Sequence, residues 1–129
     1  MAVGLTLGAI LARRGQYRLH ACCQSTIVIL NAVLIAIVMV PSFYGCVVPK
    51  IPARLGRAFY ALATAHGVFG SIAELGALYL ILSAGTKVLP ERFRLTNLKM
   101  GMRTIFALWW LTLFLGVATY IRWYVPHAF

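Results

Sequence analysis

Three stretches of this chain, residues 21–44, 58–85 and 104–125, are almost free of charge, and their length decides most of what the chain can fold into. A helix crossing a hydrocarbon layer of about 30 Å needs about 20 residues, and it must satisfy its own main chain because no water is present to do so. Each stretch is long enough. With 62% hydrophobic residues over 129 positions and a mean hydropathy of +0.89, the chain is too apolar for a soluble domain of its size. The expected fold is all-α: one integral membrane helical bundle over residues 1–129, with three full transmembrane helices and a short or truncated N-terminal helix.

The short helix is expected over residues 2–12. At about 1.5 Å per residue it reaches roughly 17 Å, about half a bilayer core. It lacks a preceding basic region and a following small-residue cleavage site, so it reads as the C-terminal part of a first helix rather than as a secretory signal.

Charge predicts the orientation. All twelve Lys and Arg lie between the apolar runs or at their ends, and eight of them fall in the first and third loops. By the positive-inside rule, loops 13–20 and 86–103 are cytoplasmic. Phe43, Tyr44, Phe59, Tyr60, Trp123 and Tyr124 then form an aromatic belt at the opposite interface. The net charge of +10 is a topology and lipid-headgroup signal. Nucleic acid is excluded as a partner because no soluble basic face exists to bind it. The segment after Pro90, with Arg92, Phe93 and Arg94, is expected to lie along the inner surface.

The chemistry-bearing residues are few. Cys22, Cys23 and Cys46 have no Cys-x-x-Cys spacing and support no metal or redox motif. His20 sits at the inner mouth of the second helix and His66 roughly 12 Å down the third from its outer end. They are about 20 Å apart along the membrane normal, too far to share one haem as axial ligands. His66 alone could ligate a haem b or a chlorin, with Ala63 and Gly67 beside it letting a flat ring approach; otherwise it is a histidine bonded to a neighbouring helix. His127 lies in the tail and is expected to be solvated.

Glu74 is one of two acidic residues and stands inside an apolar run. Intramembrane carboxyls are costly and face a protein interior or a wet cavity. Asn31 lies at matching depth on the second helix, roughly 15 to 17 Å above the inner surface. Gly67, Gly70, Ser71, Glu74 and Ala77 follow the three-and-four spacing of one helix face, small and polar enough for close helix packing. Two readings stay open. In one, a protonated Glu74 donates to Asn31 or a main-chain carbonyl and staples two helices. In the other it relays protons through Ser71, Thr64 and His66.

The order of Arg13, Arg14, Gly15 and His20, of Arg57, Tyr60, Ala65, His66 and Gly67, of Arg92, Phe93 and Arg94, and of Trp109, Thr112, Gly116, Val117 and Tyr120 resembles a small four-helix bacterial membrane family. It is the family that includes the cytochrome oxidase maturation protein CtaM. The resemblance spans nearly the whole chain. It implies a protein of the bacterial cytoplasmic membrane that sits beside respiratory oxidase subunits and has no catalytic activity of its own. Two departures stand out: family members carry a full first helix, and a further histidine near the start of the last helix where this chain has Asn97. A mid-helix glutamate is not a hallmark of the family, so Glu74 would serve this member's own packing or partner. The expected function is a non-enzymatic subunit or assembly factor of a respiratory electron-transfer complex. Its partners would be other integral membrane subunits and membrane lipids, with no resident cofactor. The alternatives are a b-type haem or chlorin-binding subunit using His66, and a proton-conducting element using Glu74.

Overall fold

A computed structural model describes residues 1–125. His127 therefore lies outside the described residues. The described residues form six α-helices: α1 (Ala2–Arg13), α2 (Tyr17–Leu34), α3 (Val40–Cys46), α4 (Ile51–Arg54), α5 (Ala58–Gly85) and α6 (Leu98–Tyr124). No strand occurs among the described residues. α2 runs through a π-helical stretch, Ile35–Met39, into α3, so three long apolar helical units are present together with the short α1. The third full helix begins at Leu98, earlier than the apolar run suggested, because Asn97 caps it: its Oδ1 accepts from the Met100 N–H at 3.2 Å. This satisfies one of the donors that every helix start leaves open.

α1 and α2 form an antiparallel hairpin. Its turn closes in a Schellman arrangement, with the Gly15 N–H on the Ala12 carbonyl at 3.2 Å and the Gln16 N–H on the Leu11 carbonyl at 3.0 Å. Gly15 sits there at φ +72°, a conformation that glycine adopts without steric cost. Gly4 and Gly8 face α2, where a Cβ on either would collide with Ile27 or Gln24. This Gly-x-x-x-Gly pair is what lets a short helix seat closely enough to bury Leu5, which is 4% exposed.

The most extensive packing is between α5 and α6. The main core joins Leu5, Val28, Ala73, Ala77 and Trp109 from α1, α2, α5 and α6. Small residues on α5 bring the backbones together: Gly76 faces Ile105, and a Cβ on Gly70 would lie 3.2 Å from Thr112 Cγ2. A second cluster, at the end of the bundle where α5 begins, holds Val47, Tyr60 and Ala63, with Phe43 and Phe59 against it. Phe59 also stacks on Trp123 at 4.5 Å between centroids, which places several of the expected belt aromatics at one end of the bundle.

The segment after Pro90 is tied to the C-terminal end of α5 rather than merely lying along a surface. Tyr79 donates to the Phe93 carbonyl, the Leu95 N–H donates to Ser83 Oγ at 3.1 Å, and Arg94 Nη2 donates to the Thr86 carbonyl at 2.8 Å. Arg92 lies over the Phe93 ring at 4.8 Å.

Candidate functional site

The polar interior consists of a few side chains, each placed by helix register. Asn31 and Glu74 meet: Asn31 Nδ2 donates to Glu74 Oε2 at 2.8 Å, joining α2 to α5. Oε2 of the carboxyl is the acceptor in this bond, so the expected pairing of Glu74 with Asn31 is present with the amide, not the carboxyl, as the donor. Glu74 is 6% exposed, and its Oε1 has no hydrogen-bond partner among the described residues. The geometry is that of an interhelical clasp, a role that polar side chains commonly fill between membrane helices.

The expected small face of α5 divides between neighbours, and one member leaves it. Gly67 looks toward the Phe43 ring of α3, with a Cβ there at 3.6 Å, whereas Gly70 looks toward Thr112 of α6. Ala77 is buried in the main core beside Ala73, the most enclosed residue of that core at 2% exposure. Ser71 is exposed and turns its hydroxyl back onto the Gly67 carbonyl at 2.8 Å. A helix surrounded on several sides distributes a three-and-four stripe over more than one partner, because five residues at that spacing cover a broad arc.

His66 reaches α6. Its Nδ1 lies 2.9 Å from the Thr112 carbonyl, and a Cβ on Gly116 would fall 2.9 Å from the imidazole Cε1, so this glycine provides the room that the ring needs. A carbonyl can only accept, so Nδ1 carries the proton and, in the neutral ring, Nε2 keeps its lone pair. His20 follows the same logic on the other side of the molecule, with Nδ1 donating to the Gly8 carbonyl of α1 at 2.7 Å. The two histidines are thus engaged with different helices and are not brought together. The relay expected above Glu74 is also not assembled: Ser71 is bonded to its own helix, Thr64 Oγ1 is buried without a partner, and His66 points to α6.

The three cysteines are free. Cys23 Sγ faces the Gly4 carbonyl at 3.8 Å, a weak contact within the α1–α2 hairpin. Among the described residues no group of three His, Cys, Asp or Glu converges as a metal site would require.

A cavity of about 220 Å³ lies between α1, α2, α5 and α6, at the end of the bundle where α2 begins and α5 ends, bounded by Leu5, Val28, Leu80, Phe106 and Trp109 and, on α2, by His20, Gln24 and Ser25. Sequence reasoning passed over Gln24 and Ser25. The available signal was their spacing: positions 20, 24, 25 and 28 fall on one face of α2, opposite the glycine pair of α1.

No protein-family model, curated protein or solved structure matches the chain.

Proposed function

We propose that this chain is a non-enzymatic membrane subunit or assembly factor that works by lying against larger integral membrane partners. The observation that carries this reading is the run from the end of α2 through the π-helical stretch to the start of α3. From Ile29 through Val40 its apolar side chains stand largely exposed, Ile37 at 69%, and the π-helical stretch Ile35–Met39 buries none of its residues. Lipid covers apolar side chains as well as protein does. It cannot replace a missing hydrogen bond. Pro41 has no N–H, and the Val40 N–H is taken by the Ile35 carbonyl, so one main-chain carbonyl of this stretch loses its helical donor. Non-regular backbone at membrane depth is tolerated where protein or water covers it, and π-turns cluster at functional positions.

The kind of partner follows from the family resemblance: a respiratory electron-transfer complex of the bacterial cytoplasmic membrane, with a haem-copper oxidase as the leading candidate. Loops 13–20 and 86–103 are cytoplasmic in this reading. Co-purification from native membranes tests it. The chain is expected to migrate with oxidase subunits on native gels, and its deletion to lower oxidase activity. Migration alone, with normal oxidase activity on deletion, contradicts it.

One observation favours a second reading, ligation of a b-type haem or chlorin by His66. Bonding of Nδ1 to a main-chain carbonyl is how many metal-ligating histidines are oriented, and His66 has that bond. A purified chain without a Soret or chlorin band excludes it.

A further inference from the structure

The cavity beneath the α1–α2 hairpin holds a concentration of polar groups that packing does not explain. His20, Gln24 and Ser25 all border it, and the only side-chain hydrogen bond any of them makes among the described residues is the one from His20 Nδ1 to Gly8. That bond leaves the His20 Nε2 lone pair free. The Gln24 amide nitrogen lies against Gly8, at a place where any Cβ would displace it. All three residues are half-buried and open into the cavity, so an occupant that offered the amide, the hydroxyl and the ring nitrogen partners would be favoured over one that offered none. The remaining wall is apolar and partly aromatic, with Phe106 and Trp109 from α6 and Leu5 from α1.

Size narrows the occupant. A cavity of about 150 Å³ holds a benzene ring, so about 220 Å³ admits one substituted six-membered ring and falls short of the roughly 300 Å³ at which drug-sized pockets begin. An acyl chain would fill the apolar part and leave all three polar groups without partners. A ring bearing oxygens satisfies them. A hydroxyl donates to His20 Nε2, and a second oxygen meets the Gln24 amide or the Ser25 hydroxyl. We propose that this cavity is a binding site for a lipid-soluble ring of the quinone and hydroquinone class, held by His20, Gln24 and Ser25. The reduced form is the tighter ligand, because His20 Nε2 accepts from a hydroxyl and gains nothing from a quinone carbonyl. The site stands independently of the partner-docking reading, which concerns the run from the end of α2 to the start of α3.

The test uses the full chain in detergent with Trp110 and Trp123 replaced by Phe, leaving Trp109 in the cavity wall as reporter. Duroquinone is titrated as quencher, then displaced by duroquinol or by durene, the hydrocarbon of the same shape without oxygens. Expected results are saturable quenching, duroquinol binding more tightly than duroquinone, and durene displacing at least tenfold more weakly than duroquinol. Gln24→Leu, which keeps a side chain of similar bulk and removes the amide, is expected to weaken duroquinol at least tenfold. Quenching that rises linearly without saturation, or durene displacing as well as duroquinol, overturns the proposal without reference to any variant. Unchanged duroquinol affinity in a folded Gln24→Leu chain overturns it as well.

Discussion

At the scale of single residues, the interior polar groups act as clasps between helices, and their loss is measurable. Glu74→Gln keeps an oxygen able to accept from Asn31 Nδ2, so unfolding free energy in mixed micelles is expected to stay within about 0.5 kcal/mol of the parent. Glu74→Leu leaves the Asn31 amide without its acceptor and is expected to cost about 1 kcal/mol, in the range of hydrogen bonds between membrane helices. Equal stability of the parent and the Leu variant would show that the bond contributes nothing. Gly116 is a sharper case. A side chain there meets the His66 ring at 2.9 Å from its first carbon, and the ring is held in place by its bond to the Thr112 carbonyl. Gly116→Val is therefore expected to destabilise by about 1 to 3 kcal/mol through overpacking, read as a lowered thermal midpoint. Gly45→Ala, where nothing lies within 4 Å, serves as the control and is expected to keep or slightly raise the midpoint.

At the scale of elements, helix ends and helix pairing follow from local chemistry that hydropathy does not report. Asn97 starts α6 by accepting the Met100 N–H. Asn97→Ala is expected to cost about 1 kcal/mol, which appears as roughly fivefold faster hydrogen exchange at the first amides of α6, with the centre of that helix unchanged. The position where the resembled family carries a histidine is thus filled by a residue that does a structural task here. The pairing of α1 with α2 rests on Gly4 and Gly8, and the pattern was open to view in the sequence as Gly-x-x-x-Gly. Its consequence was harder to see. A helix too short to span the bilayer nonetheless delivers Leu5 to the main core and closes one wall of the cavity.

At the scale of the whole molecule, charge and aromatic placement predict an inside and an outside that labelling can check. In a chain with Cys22 and Cys23 replaced by Ser, Cys46 is exposed near the end of α3 and is expected to react with a membrane-impermeant maleimide from outside the cell. Thr96→Cys, exposed in the loop before α6, is expected to react only in inverted vesicles. Reaction of both positions from the same face would refute the orientation. The inner loop is expected to be well ordered at that face, because three hydrogen bonds anchor it to the end of α5.

The sequence by itself determined the all-helical membrane class, the limits of α5 and the common depth of Asn31 and Glu74. Each of these depends on position along the membrane normal, which follows from counting residues at a fixed rise from a charged loop. Azimuth was another matter. In a bilayer the surface turned to lipid is as apolar as the surface turned to protein, so a helix apolar all round gives little sign of which side is buried. Only the tertiary structure decided that Ser71 leaves the packed face, that Gly70 and Gly67 serve different neighbours, that His66 turns to α6 while Glu74 turns to α2, and that Gln24 and Ser25 join His20 around one cavity.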